Sequence, residues 1–170
     1  SKTGIDLPGE SVGLLDNWKH WDKSMHASMG FGYGASVTPI QMVSAVSALA
    51  NGGVRVTPHI IKYSPEEAET KIHHIRVMTP QTAMNITRIL ASSIDHAKKT
   101  PNSIKMDAYY VAAKTGTSRK PKENSAGYTN KLYTSIVGYL PASDPQVEIY
   151  VLVDSAEGGD VWGSTVAAPV

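Results

Sequence analysis

The sequence lacks cysteine altogether and has almost no net charge. Without cysteine, the chain cannot form disulfides, use a thiol nucleophile or hold a cysteine-ligated metal. Its 16 lysines and arginines nearly balance its 15 acidic residues, giving a formal net charge of +1 with neutral histidines. That balance provides no electrostatic attraction to nucleic acid or to an anionic membrane surface. No apolar run reaches the ~18 residues that a membrane-spanning helix needs.

The histidines are scattered, and we expect them to hold no metal. No pair has the His-x-x-x-His spacing that would place two histidine ligands on one face of a helix. The histidines are His20, His26, His59, His73, His74 and His96. The sequence therefore predicts neither a metal nor another cofactor.

A threonine followed by a proline predicts the start of a first helix. Thr38 is a favoured N-cap, Pro39 fits the first helical position, and Gln41 completes a capping box. The residues that follow are apolar almost all round, which predicts a buried helix. The helix is expected to end at 51–53, where two glycines follow an asparagine.

The same Thr-Pro start recurs at Thr79 and predicts a second helix. Its apolar residues fall at helical spacing and are Ala83, Ile86, Ile89, Leu90 and Ile94. Two lysines and a proline in 98–103 are expected to end this helix. Residues 1–35 are predicted as ordered loop with one short helical turn, 54–63 as a short strand or extended segment, and 64–74 as a polar surface excursion.

The spacing of apolar residues changes after residue 105 from helical to strand-like. Three strands are predicted there, in "AYYVAAKTGTS", "KLYTSIVGYLP" and "QVEIYVLVDS". The short "PASDP" turn indicates that the last two strands pair antiparallel. The link 119–130 is predicted to be long, polar and mobile, and the final glycine-rich stretch to begin a helix. A helical part over about 1–105 and a sheet part over about 106–170 predict an α+β fold.

Lys-Thr-Gly occurs twice, in different contexts. The first copy, at residues 2–4, precedes an irregular Gly/Pro-rich stretch, so we expect an exposed, mobile loop without a chemical role. The second copy, at 114–116, lies in a predicted strand, where Thr115 and Thr117 project from one face. Gly116 leaves room for another backbone or a ligand.

Two interpretations of the second copy are open. If its strand lies at a sheet edge, it could pair with a peptide, and the N–H of Thr117 could donate to an oxyanion, with the charge of Lys114 nearby. The tripeptide by itself is short and common. Alone, it favours the plainer interpretation of a structural strand with an exposed lysine.

The surrounding segments favour the chemical interpretation. "KTGIDLPGE", "GFGYGASVTPIQ", "ALANGG", "PHII", "AAKTGTS", "VGYLPASDP" and "GSTVAAPV" occur in this order. The set, which runs from Lys2 to Val170, resembles the transpeptidase domain of class B penicillin-binding proteins, the division-type branch more than the elongation-type branch. The resemblance implies a β-lactamase/transpeptidase-like fold, with helices packed on an antiparallel sheet. It also implies that this chain is the C-terminal part of that domain.

The resemblance implies a role for each residue of the second copy. In the family, a serine attacks stem peptides that end in D-Ala-D-Ala, and β-lactams acylate the same serine; the site combines Ser-x-x-Lys, Ser-x-Asn and Lys-Thr-Gly motifs. Lys114 and Thr117 are then catalytic, with Lys114 directed toward the Ser-x-Asn hydroxyl and the Thr117 N–H toward the oxyanion. Thr115, Gly116 and Thr117 bind substrate, with the two hydroxyls meeting its carboxylate.

Two family motifs are missing from the sequence. No serine is followed by lysine three residues later, and no asparagine is preceded by serine two residues earlier. Tyr128-Thr129-Asn130 has a related form, but it follows Lys114, whereas the family's second motif precedes the third. We therefore expect the nucleophile to lie outside this chain, in the N-terminal part of the same domain. The chain alone is expected to be inactive and, with apolar surface exposed, marginally stable or self-associating.

The resemblance also implies partners and a location. Peptidoglycan stem peptides, β-lactams and other cell-wall synthesis proteins are the expected partners, and nucleic acid is not. The expected location is the extracytoplasmic face of the bacterial inner membrane, with an anchor outside this chain. A non-catalytic penicillin- or peptide-binding sensor is the main alternative. A β-lactamase or carboxypeptidase relative is disfavoured by "VTPIQ" and "GIDLPGE".

Overall fold

The computed structural model describes residues 1–96, 109–122, 125, 127–159 and 161–170. Helices dominate the first part of these residues, and a sheet dominates the second. The helices are α1 Lys23–Gly30, α2 Pro39–Ala50, α3 Pro65–Lys71 and α4 Pro80–His96. The strands are β1 Val54–Val56, β2 His74–Arg76, β3 Ala112–Pro121, β4 Tyr128–Leu140 and β5 Val147–Asp154. A 3₁₀ turn at Trp18–His20 precedes α1, and a π-helical segment at Gly163–Ala167 follows β5.

The main sheet has the order β3-β4-β5, and both pairings are antiparallel. The three predicted strands and their antiparallel pairing are therefore confirmed, as is the α+β fold class. The short strand predicted within 54–63 is present as β1. It pairs with β2 in a separate two-stranded sheet, so it adds nothing to the main sheet.

The two faces of the main sheet bury different clusters. Ala112 and Tyr139 lie on the face covered by α2 and α4, which we call the helix face. Tyr139 is fully buried there, and its hydroxyl is 2.7 Å from the Thr87 hydroxyl of α4. Ala113 and Ile136 lie on the opposite face against Ala167 of the π-helical segment, and we call this the C-terminal face.

The predicted start of α2 is confirmed in detail. The Thr38 hydroxyl accepts the Gln41 N–H at 3.3 Å, and the Gln41 side chain accepts the Thr38 N–H at 2.9 Å. The prediction that α2 is buried holds in part. Ser44 and Ala48 are buried and most other residues of α2 are half-buried, but Ala45 is exposed.

The predicted helix from Thr79 is confirmed as α4, with one residue misplaced. Ala83 and Ile94 are buried, but Ile89 is 68% exposed. The buried face instead includes Ala91, which is 1% exposed. Helical spacing narrows the choice of apolar residues but does not fix which edge of the apolar stripe meets the sheet. The predicted helix end in 98–103 lies outside the described residues.

Two short helices were not predicted. In α1 the Asp22 side chain accepts the Met25 N–H at 2.7 Å, so residues 1–35 contain more helix than the single turn expected. The segment expected to be a polar surface excursion contains α3, which begins with a full capping box between Ser64 and Glu67. Both helices are short and largely exposed, so apolar spacing did not indicate them.

The link 119–130 is shorter than predicted because the strands extend into it. β3 continues to Pro121 and β4 begins at Tyr128. The Thr129 hydroxyl donates to the Lys120 carbonyl at 3.0 Å, and the Lys120 ammonium lies 2.8 Å from the Asp154 carboxylate. Paired polar side chains thus allow strand structure where composition suggested a loop.

Large apolar side chains remain exposed on the described residues. Phe31 is 71% exposed, Ile89 68% and Trp18 66%. Apolar exposure of this kind is typical of surfaces that contact other protein. The expected marginal stability or self-association stays a prediction.

Candidate functional site

The first Lys-Thr-Gly copy lies in an irregular segment that the Glu10 carboxylate holds in place. The N–H and the hydroxyl of Thr3 each lie 2.6 Å from one oxygen of the Glu10 carboxylate, and the Gly4 N–H donates to the other at 3.2 Å. Thr3 is 9% exposed. The expectation of an exposed, mobile loop is therefore wrong for Thr3, because Glu10 satisfies both of its polar groups.

Changing Glu10 to glutamine is expected to destabilise the chain in a pH-dependent way. The hydrogen bonds from the Thr3 side chain and then its N–H lower the pKa of Glu10 below its ordinary value of 4.5. The carboxylate therefore stabilises the fold above about pH 4.5, and this contribution is lost as the pH falls through the lowered pKa. Thermal unfolding of wild type and E10Q should differ at neutral pH and converge in acid. Glu69→Gln, at an exposed position of α3, is the matched control, and an equal effect of the two substitutions would contradict the assignment.

The second copy lies on β3, at the edge of the main sheet. Lys114 pairs with Val137, and Thr117 pairs with Thr134. Only one side of β3 has a strand neighbour among the described residues. Every second N–H and carbonyl of an edge strand points away from its neighbour, so β3 meets the condition for accepting an extended peptide.

The side chains of the second copy border this edge from two faces. Lys114 and Gly116 lie on the helix face, while Thr115 and Thr117 lie on the C-terminal face, as strand alternation requires. The Lys114 side chain is exposed, and its ammonium donates to the Thr115 carbonyl at 2.8 Å. A positive charge therefore stands at the rim of the strand.

Close backbone packing against this motif requires the glycine at position 163. A Cβ on Gly163 would lie 2.7 Å from the Gly116 carbonyl oxygen and 2.5 Å from that of Ser135, so the two glycine backbones are in contact. A Cβ on Gly116 would itself lie 2.8 Å from the Ser135 hydroxyl. The close approach of the two backbones therefore depends on the missing side chain of Gly163, whereas the space that Gly116 leaves is bounded by the Ser135 side chain.

Thr117 is held by the same segment. Its hydroxyl oxygen accepts the Gly163 N–H at 3.0 Å, and the residue is half-buried. A threonine hydroxyl has one donor and two acceptor sites, so its proton and one lone pair remain for another group. Sequence reasoning missed Gly163 and Ser135 as supports of β3. In the sequence, the only indication was that Gly163 lies in the final glycine-rich stretch, which was predicted to begin a helix.

No three of the acidic, histidine or cysteine side chains in the described parts of the chain lie close enough together to hold a metal ion. Of the helices that the structure describes, none has the length and hydropathy required to cross a membrane.

Comparison with known families gives a match over the full chain. Residues 1–170 match the family described as "Penicillin binding protein transpeptidase domain". The chain is 38% identical to stage V sporulation protein D of Bacillus subtilis, covering 99% of this chain and 27% of that protein. It is 33% identical to a protein of Pseudomonas aeruginosa named "Probable peptidoglycan D,D-transpeptidase PbpC", covering 97% of this chain and 28% of that protein. The chain thus spans about a quarter of the length of these curated relatives.

Solved structures show the same fold. The apo transpeptidase domain of Burkholderia pseudomallei penicillin-binding protein 3 superposes with a TM-score of 0.81 at 31% identity, covering 97% of this chain and 48% of that chain. Penicillin-binding protein 3 of Mycobacterium tuberculosis in complex with ampicillin gives a TM-score of 0.77 at 30% identity, covering 91% of this chain and 36% of that chain. The transpeptidase-like α+β fold is confirmed.

Proposed function

Because the chain belongs to the penicillin-binding protein transpeptidase family, we propose that it supplies the carboxylate- and oxyanion-binding strand of a serine-type peptidoglycan D,D-transpeptidase. The observation that carries this proposal is the position of Lys114–Thr117 on the open edge of β3. A peptide that pairs with this edge would align its backbone with β3, and its C-terminal carboxylate would lie near the hydroxyls of Thr115 and Thr117. The name of the Pseudomonas relative supports the reaction class.

The proposed reaction is acyl transfer. A serine hydroxyl attacks the carbonyl carbon of the penultimate D-Ala, and the serine proton passes through a base to the departing amine of the terminal D-Ala. The acyl-enzyme is then attacked by the amine of a second stem peptide, which forms the cross-link and returns a proton to the serine. With a β-lactam, the ring amide opens instead, and the leaving amine stays attached.

Each residue of the strand has a proposed role in that reaction. The Lys114 ammonium stabilises developing negative charge and interacts with the Ser-x-Asn hydroxyl, and the Thr117 N–H donates to the oxyanion. The hydroxyls of Thr115 and Thr117 donate to the substrate carboxylate. The bond from Gly163 supports this role for Thr117, because it fixes the hydroxyl oxygen while leaving its proton available.

The nucleophile is proposed to come from protein outside these 170 residues, N-terminal in the same domain. The sequence contains neither Ser-x-x-Lys nor Ser-x-Asn. Incubation of the chain with benzylpenicillin should therefore leave its intact mass unchanged. The positive control is the parent reading frame extended upstream, which should gain one penicilloyl group; a stoichiometric adduct on the 170-residue chain would overturn the proposal.

A non-catalytic module that binds penicillin or peptide is the second candidate, because the Ser-x-x-Lys and Ser-x-Asn motifs are both absent from the sequence. Sequencing the reading frame upstream of Ser1 separates the two. In-frame Ser-x-x-Lys and then Ser-x-Asn motifs support the enzyme, whereas broken motifs support the binding module.

Location and partners follow from the proposed substrate. Peptidoglycan lies outside the inner membrane, so we place the site at its extracytoplasmic face, with an anchor outside these residues and other cell-wall synthesis proteins as partners. The division-type role remains part of this proposal.

A further inference from the structure

A pocket of about 310 Å³ lies where the C-terminal end of α2 meets the start of β5. Its lining includes Ser47, Ala50, Asn51, Tyr139, Gln146 and Glu148. Its volume is at the lower end of the range for small-ligand pockets, which suits a group about the size of one long side chain.

Glu148 gives this pocket its charge. The residue pairs with Tyr139 and lies on the helix face, two strands from β3. One carboxylate oxygen, Oε1, is buried and has no hydrogen-bond partner among the described residues. Burial raises the pKa of Glu148 to about 7. A buried carboxylate without a partner is costly, so a donor in the pocket would be favoured if the Glu148 side chain turns to meet it.

The groups around Glu148 do not compensate its charge. The described lining contains no lysine, arginine or histidine, and its only other titratable group is the phenol of Tyr139, which is bonded to Thr87. The sequence of α2 has no charged residue. The C-terminal end of α2, at Ala50 and Asn51, also lines the pocket, but the Arg76 guanidinium donates to the Gly52 carbonyl just beyond it at 3.2 Å. The carboxylate of Glu148 is therefore the source of negative potential in the described lining.

We propose that this pocket binds a guanidinium group, as carried by an arginine side chain. A guanidinium presents planar N–H donors that can pair with both oxygens of a carboxylate, and it is weakly hydrated, which lowers the cost of burying it. The amide and hydroxyl acceptors of Asn51, Gln146 and Ser47 are available for its remaining donors. The inference does not depend on the proposed transpeptidase function.

The test is a titration of the parent protein that contains this chain with N-acetyl-arginine amide, followed by NMR. The neutral isostere N-acetyl-citrulline amide is the ligand control, and Glu148→Gln is the protein control. Wild type should bind N-acetyl-arginine amide at least tenfold more tightly than it binds N-acetyl-citrulline amide. It should also bind N-acetyl-arginine amide at least tenfold more tightly than E148Q does. Equal binding of the two compounds, equal binding by wild type and E148Q, or no binding at all would overturn the proposal.

A second readout on wild type does not depend on the variant folding. If the bound state requires the ionised carboxylate, affinity should rise about tenfold between about pH 6 and about pH 8 as the ionised fraction grows. The ligand should also lower the pKa of Glu148 measured from its carboxyl ¹³C shift. An affinity independent of pH, or a pKa unchanged by saturating ligand, would contradict the site. If a short arginine peptide binds more tightly than the free compound, the guanidinium comes from a protein partner; equal affinity indicates a small molecule.

Discussion

Replacing Lys114 with alanine is expected to reduce the rate of acylation by benzylpenicillin by about 10²- to 10³-fold in the proposed transpeptidase that contains this chain. The ammonium lies at the rim of the edge strand, where it donates to the Thr115 carbonyl at 2.8 Å. Negative charge develops on the attacked carbonyl oxygen only in the transition state, so losing a nearby positive charge lowers the rate more than the affinity. Stopped-flow kinetics of acylation of the parent protein, measured over a range of benzylpenicillin concentrations, give both the acylation rate and the affinity.

The chain provides its own control for this prediction. Lys2 belongs to the other Lys-Thr-Gly copy, which lies in the segment that Glu10 holds in place. Lys2→Ala should keep the acylation rate within about twofold of the wild-type rate, because exposed side chains away from the site contribute little to the reaction. If the two lysine variants lose activity equally, or if K114A changes only the affinity for penicillin, the assigned role of Lys114 is wrong.

Changing Gly163 to alanine is expected to destabilise the chain and displace β3. The added Cβ would approach the backbone oxygens of Gly116 and Ser135 to 2.7 and 2.5 Å, distances that real Cβ atoms do not occupy. Overpacking of this kind costs about 1–3 kcal/mol. The shift also breaks the hydrogen bond from Gly163 to Thr117, and a misplaced strand can reduce reaction rate by about 10²-fold. Thermal unfolding and acylation kinetics give the two readouts.

Gly159→Ala is the matched control. A Cβ at Gly159 would meet no atom within 4 Å, although this glycine lies only a few residues before Gly163 in the chain. Its melting temperature and acylation rate should stay close to those of wild type. A stable G163A variant with normal acylation would show that β3 tolerates movement of this segment and that the Gly163–Thr117 bond does not support the site.

Local chemistry determined much of the fold from the sequence. The capping residues at Thr38 and Thr79-Pro80 placed two helices, because a cap depends on neighbours within one turn. Alternation placed three strands, and a short turn fixed the antiparallel pairing of β4 with β5. The order of motifs indicated the family. Within it, strand alternation placed Thr115 and Thr117 on one face, and the pairing register agrees.

Tertiary structure alone decided what surrounds those residues. The edge position of β3, the approach of Gly163 to a residue 46 positions away, and the unpaired oxygen of Glu148 all depend on contacts between distant segments. Thr3 shows the same limit, since its irregular sequence indicated a mobile loop while Glu10 holds it in place. A sequence pattern records what each segment favours by itself. Which side of a strand stays open, and which carboxylate loses water without gaining a partner, depends on where the segments pack.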